Sequence, residues 1–374
     1  MLNFLLTDNQ EKKLQKLLLD YKLARTKIEG WTSEKRQYVK KQSLISNIGA
    51  STRIENALLT DIEIEWIETT ISKEPHQEYK NKEAYIKHKL SKDKVRSIEE
   101  VAGYRDSIRL VYDLFRDFNP LKIADIKGLH REMLKYYSEA HHYQGDFKKH
   151  SNSVIEVDLH SGKKRSVLKT ADPGPITATA MRDLVSWYNK EIHSHPWPPA
   201  VAVEFVFRFL AIHPFQDGNG RLSRLLFQLA LITHENSDFR NVAPLIAIDR
   251  TIEQTRSQYY TVLRRCSDGI FNPDPAGYHY HYFFDYMIEV LLNSLDNLQY
   301  YEQKFERFAA LSDTALSILA CFKEAPEQNL KTGDLIAITN IPRRTVAYTL
   351  NLLKQNSFLQ KLGKGAGTRY KLIF

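Results

Sequence analysis

The sequence predicts a mainly helical protein with one β-hairpin in its middle and, at its end, three helices followed by a second hairpin. Three observations lead there. Apolar residues recur at helical spacing through most of the chain, as at Leu14, Leu17, Leu18, Tyr21 and Ile28. The pattern changes between Gly145 and Pro173: Val154, Ile155, Val157 and Leu159 approach His160-Ser161-Gly162-Lys163, and Ser166, Val167 and Leu168 lead away, as in a hairpin. Near the end, the glycine-rich stretch Gly363 to Gly367 separates two further β-prone runs.

Taken in order, the first segment (1–106) reads as a helical domain. Within it Ile54, Leu58, Ile62, Ile64 and Ile67 fall on one side of a single helix, and Thr52 with Glu55 has the spacing of a capping box at its start. The middle segment (107–270) is helical apart from its hairpin, which Asp172-Pro173-Gly174-Pro175 ends because proline fixes φ and donates no ladder hydrogen bond. A lone hairpin in a helical domain is either a structural flap or a strand edge that receives a peptide. Phe271 to Pro275 is a loop, and one long helix, Tyr278 to Phe308, forms a connector (271–308). The last domain (309–374) has helices over Thr314–Lys323, Lys331–Thr339 with Thr332 as N-cap, and Arg343–Asn356, then strands over Phe358–Leu362 and Thr368–Leu372.

At 374 residues, 43% hydrophobic and 26% charged, the chain has the composition of a globular protein with room for two or three domains. No apolar run reaches the roughly 18 residues a membrane span needs, so no membrane partner is expected. Met1 to Leu6 lacks the basic and apolar regions of a signal peptide. The two cysteines, Cys266 and Cys321, lie in separate apolar stretches, as buried thiols of a reducing compartment do; a cytoplasmic location is expected. The formal charge of +8 fits nucleic acid, ATP or an acidic partner and selects none of them. Its distribution says more: from Leu335 onward there is no Asp or Glu, against Arg343, Arg344, Lys354, Lys361, Lys364, Arg369 and Lys371.

The densest constellation of reactive side chains runs from His213 to Arg224: His-Pro-Phe-Gln-Asp-Gly-Asn-Gly-Arg-Leu-Ser-Arg. Apolar helices precede it (Val203 to Ile212) and follow it (Leu225 to Thr233), so it is a tight loop opening onto a helix N-terminus. Gly218 and Gly220 tolerate positive φ, and such a turn aims several backbone N–H groups at one anion. Arg221 and Arg224 share a side of the first turn. Two cations there oppose the helix dipole unless a polyphosphate occupies the site. Asp217 offers hard oxygen ligands for Mg2+, and His213, with an ordinary pKa near 6.5, is the natural general base.

This segment resembles the signature loop of the Fic-domain family, HPFx[D/E]GNGRxxR, and meets each of its fixed positions. The resemblance implies a helical core that binds ATP and Mg2+ and transfers AMP to a Ser, Thr or Tyr hydroxyl of a target protein, the chain itself among the candidates. By that resemblance His213 takes the hydroxyl proton and Asp217 holds Mg2+. Phe215, Gly218, Asn219 and Gly220 belong to the ATP loop, Arg221 meets the α- and β-phosphates, and Arg224 meets the γ-phosphate. The hairpin between Gly145 and Pro173 resembles the family's target-docking flap. Tyr259 and Tyr260 resemble a tyrosine pair near the adenine. The resemblance also implies a core that often forms homodimers, while the residues alone leave the oligomeric state open.

Ser51-Thr52-Arg53-Ile54-Glu55-Asn56 fits [S/T]xxxE[G/N], which in Fic proteins marks an inhibitory helix. Glu55 is then expected to pair with Arg224 in place of the γ-phosphate, because a carboxylate satisfies the same guanidinium fork.

The last domain resembles a winged helix. That fold places its third helix in the major groove of double-stranded DNA. Arg343 and Arg344 are then placed to reach bases, and Lys364 and Arg369 to meet phosphates. Winged helices also mediate protein contacts. Other readings stand beside AMP transfer. One is another Fic chemistry: AMP removal, a different nucleotide, or phosphorylation, whose practitioners depart from the Gly-Asn-Gly-Arg pattern kept here. Another is an ATP-sensing, DNA-binding transcription regulator, against which an intact His213 argues. A toxin held by a separate antitoxin is the last, and the internal Glu55 motif makes that antitoxin unnecessary.

Overall fold

The computed structural model describes residues 1–72, 78–157, 162–234 and 237–373. In chain order the helices are α1 (Asp8–Glu29), α2 (Ser33–Ile54), α3 (Asp61–Ser72), α4 (Tyr79–Lys89), α5 (Val95–Leu114) and α6 (Ile123–Leu134). The hairpin β1 (Ser153–Val157) and β2 (Lys164–Lys169) follows. Then come α7 (Pro175–Ser194), α8 (Pro198–Ile212), α9 (Asn219–Thr233), α10 (Ser237–Val242), α11 (Ile248–Gln254), α12 (Arg256–Ser267), α13 (Tyr280–Ser294) and α14 (Asp296–Ala309). The chain closes with α15 (Asp313–Lys323), α16 (Thr332–Thr339), α17 (Arg343–Gln355), β3 (Leu359–Leu362) and β4 (Arg369–Leu372). The predicted class, mainly helical with a central hairpin, is the one observed.

Contacts divide the chain into two compact units that are not consecutive segments. One comprises Met1–Ala57 with Glu99–Gln299, the other Leu58–Ile98 with Tyr300–Phe374. The division expected from sequence (1–106, 107–270, 271–308, 309–374) follows chain order, whereas the packing does not. Ile62 of α3 packs against the apolar core formed by α15, α16, α17 and β4, so the stretch after Ala57 shares a core with the chain's last helices.

The first unit is organised around α8 and α9. Every residue of α8 and every residue of α9 except Gly220 is buried, including the apolar majority on all sides. A helix apolar all round belongs in the middle of a core. Helix α8 packs against α7, α9 and α13, and α2 packs against α11 and α9. Helix α1 begins at a capping box, Thr7 Oγ1 accepting from Gln10 N at 3.3 Å and Gln10 Oε1 from Thr7 N at 3.1 Å.

Two sequence expectations change here. No single helix carries Ile54 through Ile67: α2 ends at Ile54, Asn56 sits at φ 72°, and α3 starts at Asp61. Thr52 therefore lies in the last turn of a helix and is no N-cap; its hydroxyl donates to the carbonyls of Ile48 and Gly49. The long helix over 278–308 is two, α13 and α14, parted at Leu295. In the hairpin, β1 and β2 pair antiparallel from Ser153↔Lys169 to Val157↔Lys164. The approach through Leu159 and the turn residues His160 and Ser161 lie outside the described residues. In the second unit β3 and β4 pair from Leu359↔Leu372 to Leu362↔Arg369, and Leu330 bridges Tyr370. Among the described residues no helix is long and apolar enough to cross a membrane.

Candidate active site

The loop between α8 and α9 begins with an unusual backbone. His213 caps α8 in the left-handed region, φ 51° and ψ 60°, where residues other than glycine are uncommon. Its N–H donates to the Phe209 carbonyl at 2.8 Å, closing the helix. Its Nδ1 stands 3.3 Å from the carbonyl of Leu210. A carbonyl only accepts, so Nδ1 carries the proton and Nε2 is left as the basic nitrogen. Burial pushes the imidazole down to about 4, and the nearby Lys148 ammonium adds to the effect. The ring is thus neutral at physiological pH, more firmly than its ordinary pKa implies.

Three side chains outside the motif hold the loop. Asn152 Nδ2 donates to Phe215 O at 2.8 Å. His130 Nδ1 accepts from Gly145 N at 2.8 Å, which places its proton on Nε2, and Nε2–H donates to the Asp217 carbonyl at 2.9 Å. Its ring stacks on Phe215 with centroids 3.9 Å apart, and burial pushes its pKa down to about 4. Lys148 is buried, and its Nζ donates to Asn152 Oδ1 (2.8 Å), Thr170 Oγ1 (2.9 Å) and the Ile212 carbonyl (3.1 Å). Burial pushes its pKa down to about 8. Neither Lys148 nor His130 stood out in the sequence. Both lie far from the loop in the chain, and no local pattern marks either of them.

Inside the loop, Asn219 accepts from Phe215 N at 2.9 Å through Oδ1 and donates to Phe215 O at 2.7 Å through Nδ2. Its side chain closes the turn on itself. Phe215 is fully buried beneath the loop, so its ring supports the site without presenting a face to it. Gly218 adopts φ 78°, and Asp217 Oδ1 accepts from Gly218 N at 2.6 Å.

At the start of α9 the two arginines are almost fully enclosed, Arg221 at 1% and Arg224 at 3% exposure. Arg221 has carboxylates only at a distance, Glu100 at 3.7 Å and Asp217 at 3.8 Å, and its Nε and Nη1 have no hydrogen-bond partner among the described residues. Arg224 donates through Nε to Ser51 Oγ (2.8 Å), and through Nη2 to Ser51 O (2.8 Å) and Glu55 Oε1 (2.9 Å), while Nη1 has no partner among the described residues. A Cβ added to Gly220 would lie 2.1 Å from Glu55 Oε1. The carboxylate therefore rests directly on the helix N-terminus, where backbone N–H groups and two guanidiniums favour an anion.

Helix α2 delivers Glu55 from a fixed position. Asn47 bridges Ile246 O (3.0 Å) and Asp249 N (3.0 Å). Arg53 makes a two-pronged pair with Glu253 at 2.6 and 2.9 Å, and Asn56 Oδ1 accepts from Arg256 Nη2 at 3.1 Å. Behind Arg224, the buried Asp249 carboxylate accepts from Tyr104 Oη at 3.0 Å. Tyr259 and Tyr260 are buried on α12, edge to face at 5.5 Å. Arg343, Arg344, Lys364 and Arg369 are in the other unit and all exposed.

A metal would have one carboxylate here. Among the described residues no three His, Cys, Asp or Glu side chains cluster as ligands. Mg2+ is commonly held by one or two carboxylates completed by phosphate oxygens and water. Asp217, with its side chain 41% exposed beside Arg221, fits that pattern.

Residues 120–231 match the Fic/DOC family. Over 154 residues the chain is 30% identical to proteins named protein adenylyltransferase Fic from Drosophila willistoni and Drosophila sechellia, covering 41% of this chain and 26% of each relative. The matched region thus spans about a quarter of those proteins' length. Among solved structures, a Fic family protein from Desulfovibrio desulfuricans superposes with TM-score 0.54 at 18% identity, covering 100% of this chain and 98% of that one. A Fic domain containing signaling protein from Bacteroides thetaiotaomicron gives 0.54 at 20% identity, covering 77% and 98%. These structures share the fold. With the signature loop joining α8 to α9 inside the matched region, residues 120–231 of this chain form a Fic/DOC domain.

Proposed function

We propose that this chain transfers AMP from ATP to a hydroxyl group of a target protein, and that Glu55 holds the activity down. The observation that carries the reading is the pair of enclosed guanidiniums at the start of α9, with donors on Arg221 and Arg224 unsatisfied, in the same loop as a His213 whose Nε2 is free to accept a proton. Enclosed cations with spare donors favour a polyanion strongly, because little water competes for it.

In the proposed reaction His213 Nε2 takes the proton of the acceptor hydroxyl as its oxygen attacks the α-phosphorus of ATP. The bond from that phosphorus to the bridging oxygen breaks, and pyrophosphate leaves. Arg221 and the backbone N–H groups after Gly218 balance the charge that builds on the phosphates. Asp217 would hold Mg2+, which supplies further charge neutralisation when bound. Catalysis is then positioning and electrostatics on a preorganised loop. Hairpin β1–β2, whose β1 has no strand on its outer side among the described residues, supports a docking role for the acceptor segment by strand addition.

The brake follows from geometry. Glu55 takes one donor of Arg224 and covers Gly220, so a γ-phosphate reaching for the same guanidinium meets a negative charge first. The relatives named adenylyltransferases favour AMP transfer over phosphorylation as the chemistry. The test is incubation of wild type, Glu55→Gly and His213→Ala with α-labelled and γ-labelled ATP and Mg2+ in cell extract. The reading expects α-label on protein, stronger in Glu55→Gly and absent in His213→Ala. Transfer of γ-label alone would replace it with kinase chemistry, and no label from either would leave the site as a nucleotide sensor.

A further inference from the structure

We propose that the unit built from Leu58–Ile98 and Tyr300–Phe374 binds double-stranded DNA, with α17 in the major groove and the β3–β4 hairpin on the adjoining backbone. The inference is independent of the chemistry at His213.

The order α15, the Leu330 bridge, α16, α17, β3, β4 places three helices before a hairpin whose outer strand also bridges the segment between α15 and α16. Helix α17 turns Val346, Thr349, Leu350 and Leu353 into the core and leaves Arg343, Arg344, Ala347, Tyr348, Asn351 and Lys354 exposed. Tyr348 is 70% exposed, large for an aromatic residue on a helix face. An exposed helix of this breadth suits the major groove, about 12 Å wide in B-DNA, where arginine pairs with guanine edges.

Charge points the same way. From Leu335 onward the sequence has no acid. The exposed Arg343 and Arg344 of α17 and the exposed Lys361, Lys364, Arg369 and Lys371 of the hairpin make no ion pair among the described residues. The hairpin register puts Leu359 opposite Leu372 in the core and, by alternation, sets Arg369 and Lys371 together on the opposite face, next to the turn that carries Lys364. Gly363 and Gly365, at φ 73° and 59°, let that turn project. Three acids of this unit are engaged elsewhere. Glu63 and Glu327 bind Lys94, and Glu65 binds Lys323. Helix α3 lies on the side of α15 and Leu372, where Ile62, Trp66 and Lys323 line a shared cleft. The face of α17 is thus one-signed, unneutralised and shaped for a groove. A duplex accounts for the combination better than a protein partner, which would favour an apolar centre with charges of both signs.

The experiment is fluorescence anisotropy of the full chain with a labelled random duplex across a salt series. With four to six phosphates neutralised, affinity should fall roughly a hundredfold to a thousandfold between about 50 and 200 mM salt. Arg343→Glu/Arg344→Glu and, separately, Lys364→Glu/Arg369→Glu should each weaken binding by at least about tenfold and flatten the salt slope. All four residues are exposed and unpaired, so the melting temperature should not change. Absence of salt-dependent binding would overturn the proposal. So would binding by both variants as tight as that of the wild type, stronger binding to double-stranded RNA, or a homodimer that these substitutions dissolve without any duplex binding by the wild type.

Discussion

Glu55 Oε1 accepts from Arg224 Nη2 at 2.9 Å, and the same oxygen sits where the first turn of α9 would otherwise meet an anion. A charge-assisted hydrogen bond of this type contributes about 1.5–3 kcal/mol. Glu55→Gly is therefore expected to raise AMP transfer roughly tenfold to hundredfold, read as α-label incorporated per minute. Equal rates for wild type and variant would sink the brake.

The proposed brake depends on where α2 is held. The Arg53–Glu253 pair, with bonds of 2.6 and 2.9 Å, is the strongest polar tie at that end of the helix. Glu253→Gln should release the helix in part and raise transfer several-fold, about 2- to 10-fold for the loss of one partly exposed pair. In a Glu55→Gly background the same change should do nothing. Additive activation in the double variant would show that Glu253 acts by some other route.

His213→Ala, made in the Glu55→Gly background, should lower transfer by about 10²- to 10⁴-fold, the usual range for a positioned base. The melting temperature should stay near that of the parent, because the ring's one hydrogen bond, to the Leu210 carbonyl at 3.3 Å, is long.

The pH dependence has a definite sign. A base works unprotonated, and burial with Lys148 depresses His213 to about 4. The acid limb of kcat/KM should therefore lie near pH 4, well below the roughly 6.5 of an ordinary histidine. Lys148→Met removes the cation and should move the limb upward, while the loss of its bonds to Asn152, Thr170 and the Ile212 carbonyl lowers the plateau rate. A limb at the same pH in both proteins would remove Lys148 from the account of the base.

Stability offers a test away from the loop. A Cβ on Gly103 of α5 would lie 2.1 Å from the Met133 carbonyl oxygen of α6. Backbone cannot yield as a side-chain tip does, so Gly103→Ala should cost about 1–3 kcal/mol, seen as a lower midpoint in urea. Gly128→Ala, with nothing within 4 Å, is the matched control and should be neutral or slightly stabilising.

The signature loop was legible because its function is local: turn, helix N-terminus, base and cations all fall between His213 and Arg224. The helices α8 and α9 were legible as apolar runs, though α9 begins at Asn219, inside the motif, and not after it. What escaped the sequence is long-range. Lys148 acts on His213 and His130 on Asp217 across stretches whose periodicity carries no mark of the meeting. The pairing of Glu55 with Arg224 was expected from the motif, but the motif's position at the end of α2 was not. Apolar spacing from Ile54 to Ile67 continues across a break that only Asn56, at φ 72°, signals. The side chains of Phe215 and Asn219 turned inward for a similar reason: a tight loop consumes its own polar groups to hold shape.

The unit that joins Leu58–Ile98 to Tyr300–Phe374 has a consequence for how the chain is made. A ribosome adds about 5–20 residues per second, so α3 and α4 emerge roughly ten to sixty seconds before the helices whose core Ile62 completes. During that interval the entire loop-bearing unit can be synthesised and begin to fold, while an apolar helix waits with no surface to cover. Such a stretch is a natural client for chaperones, and shortage of them should be felt first by the unit that holds α3 and α15–α17.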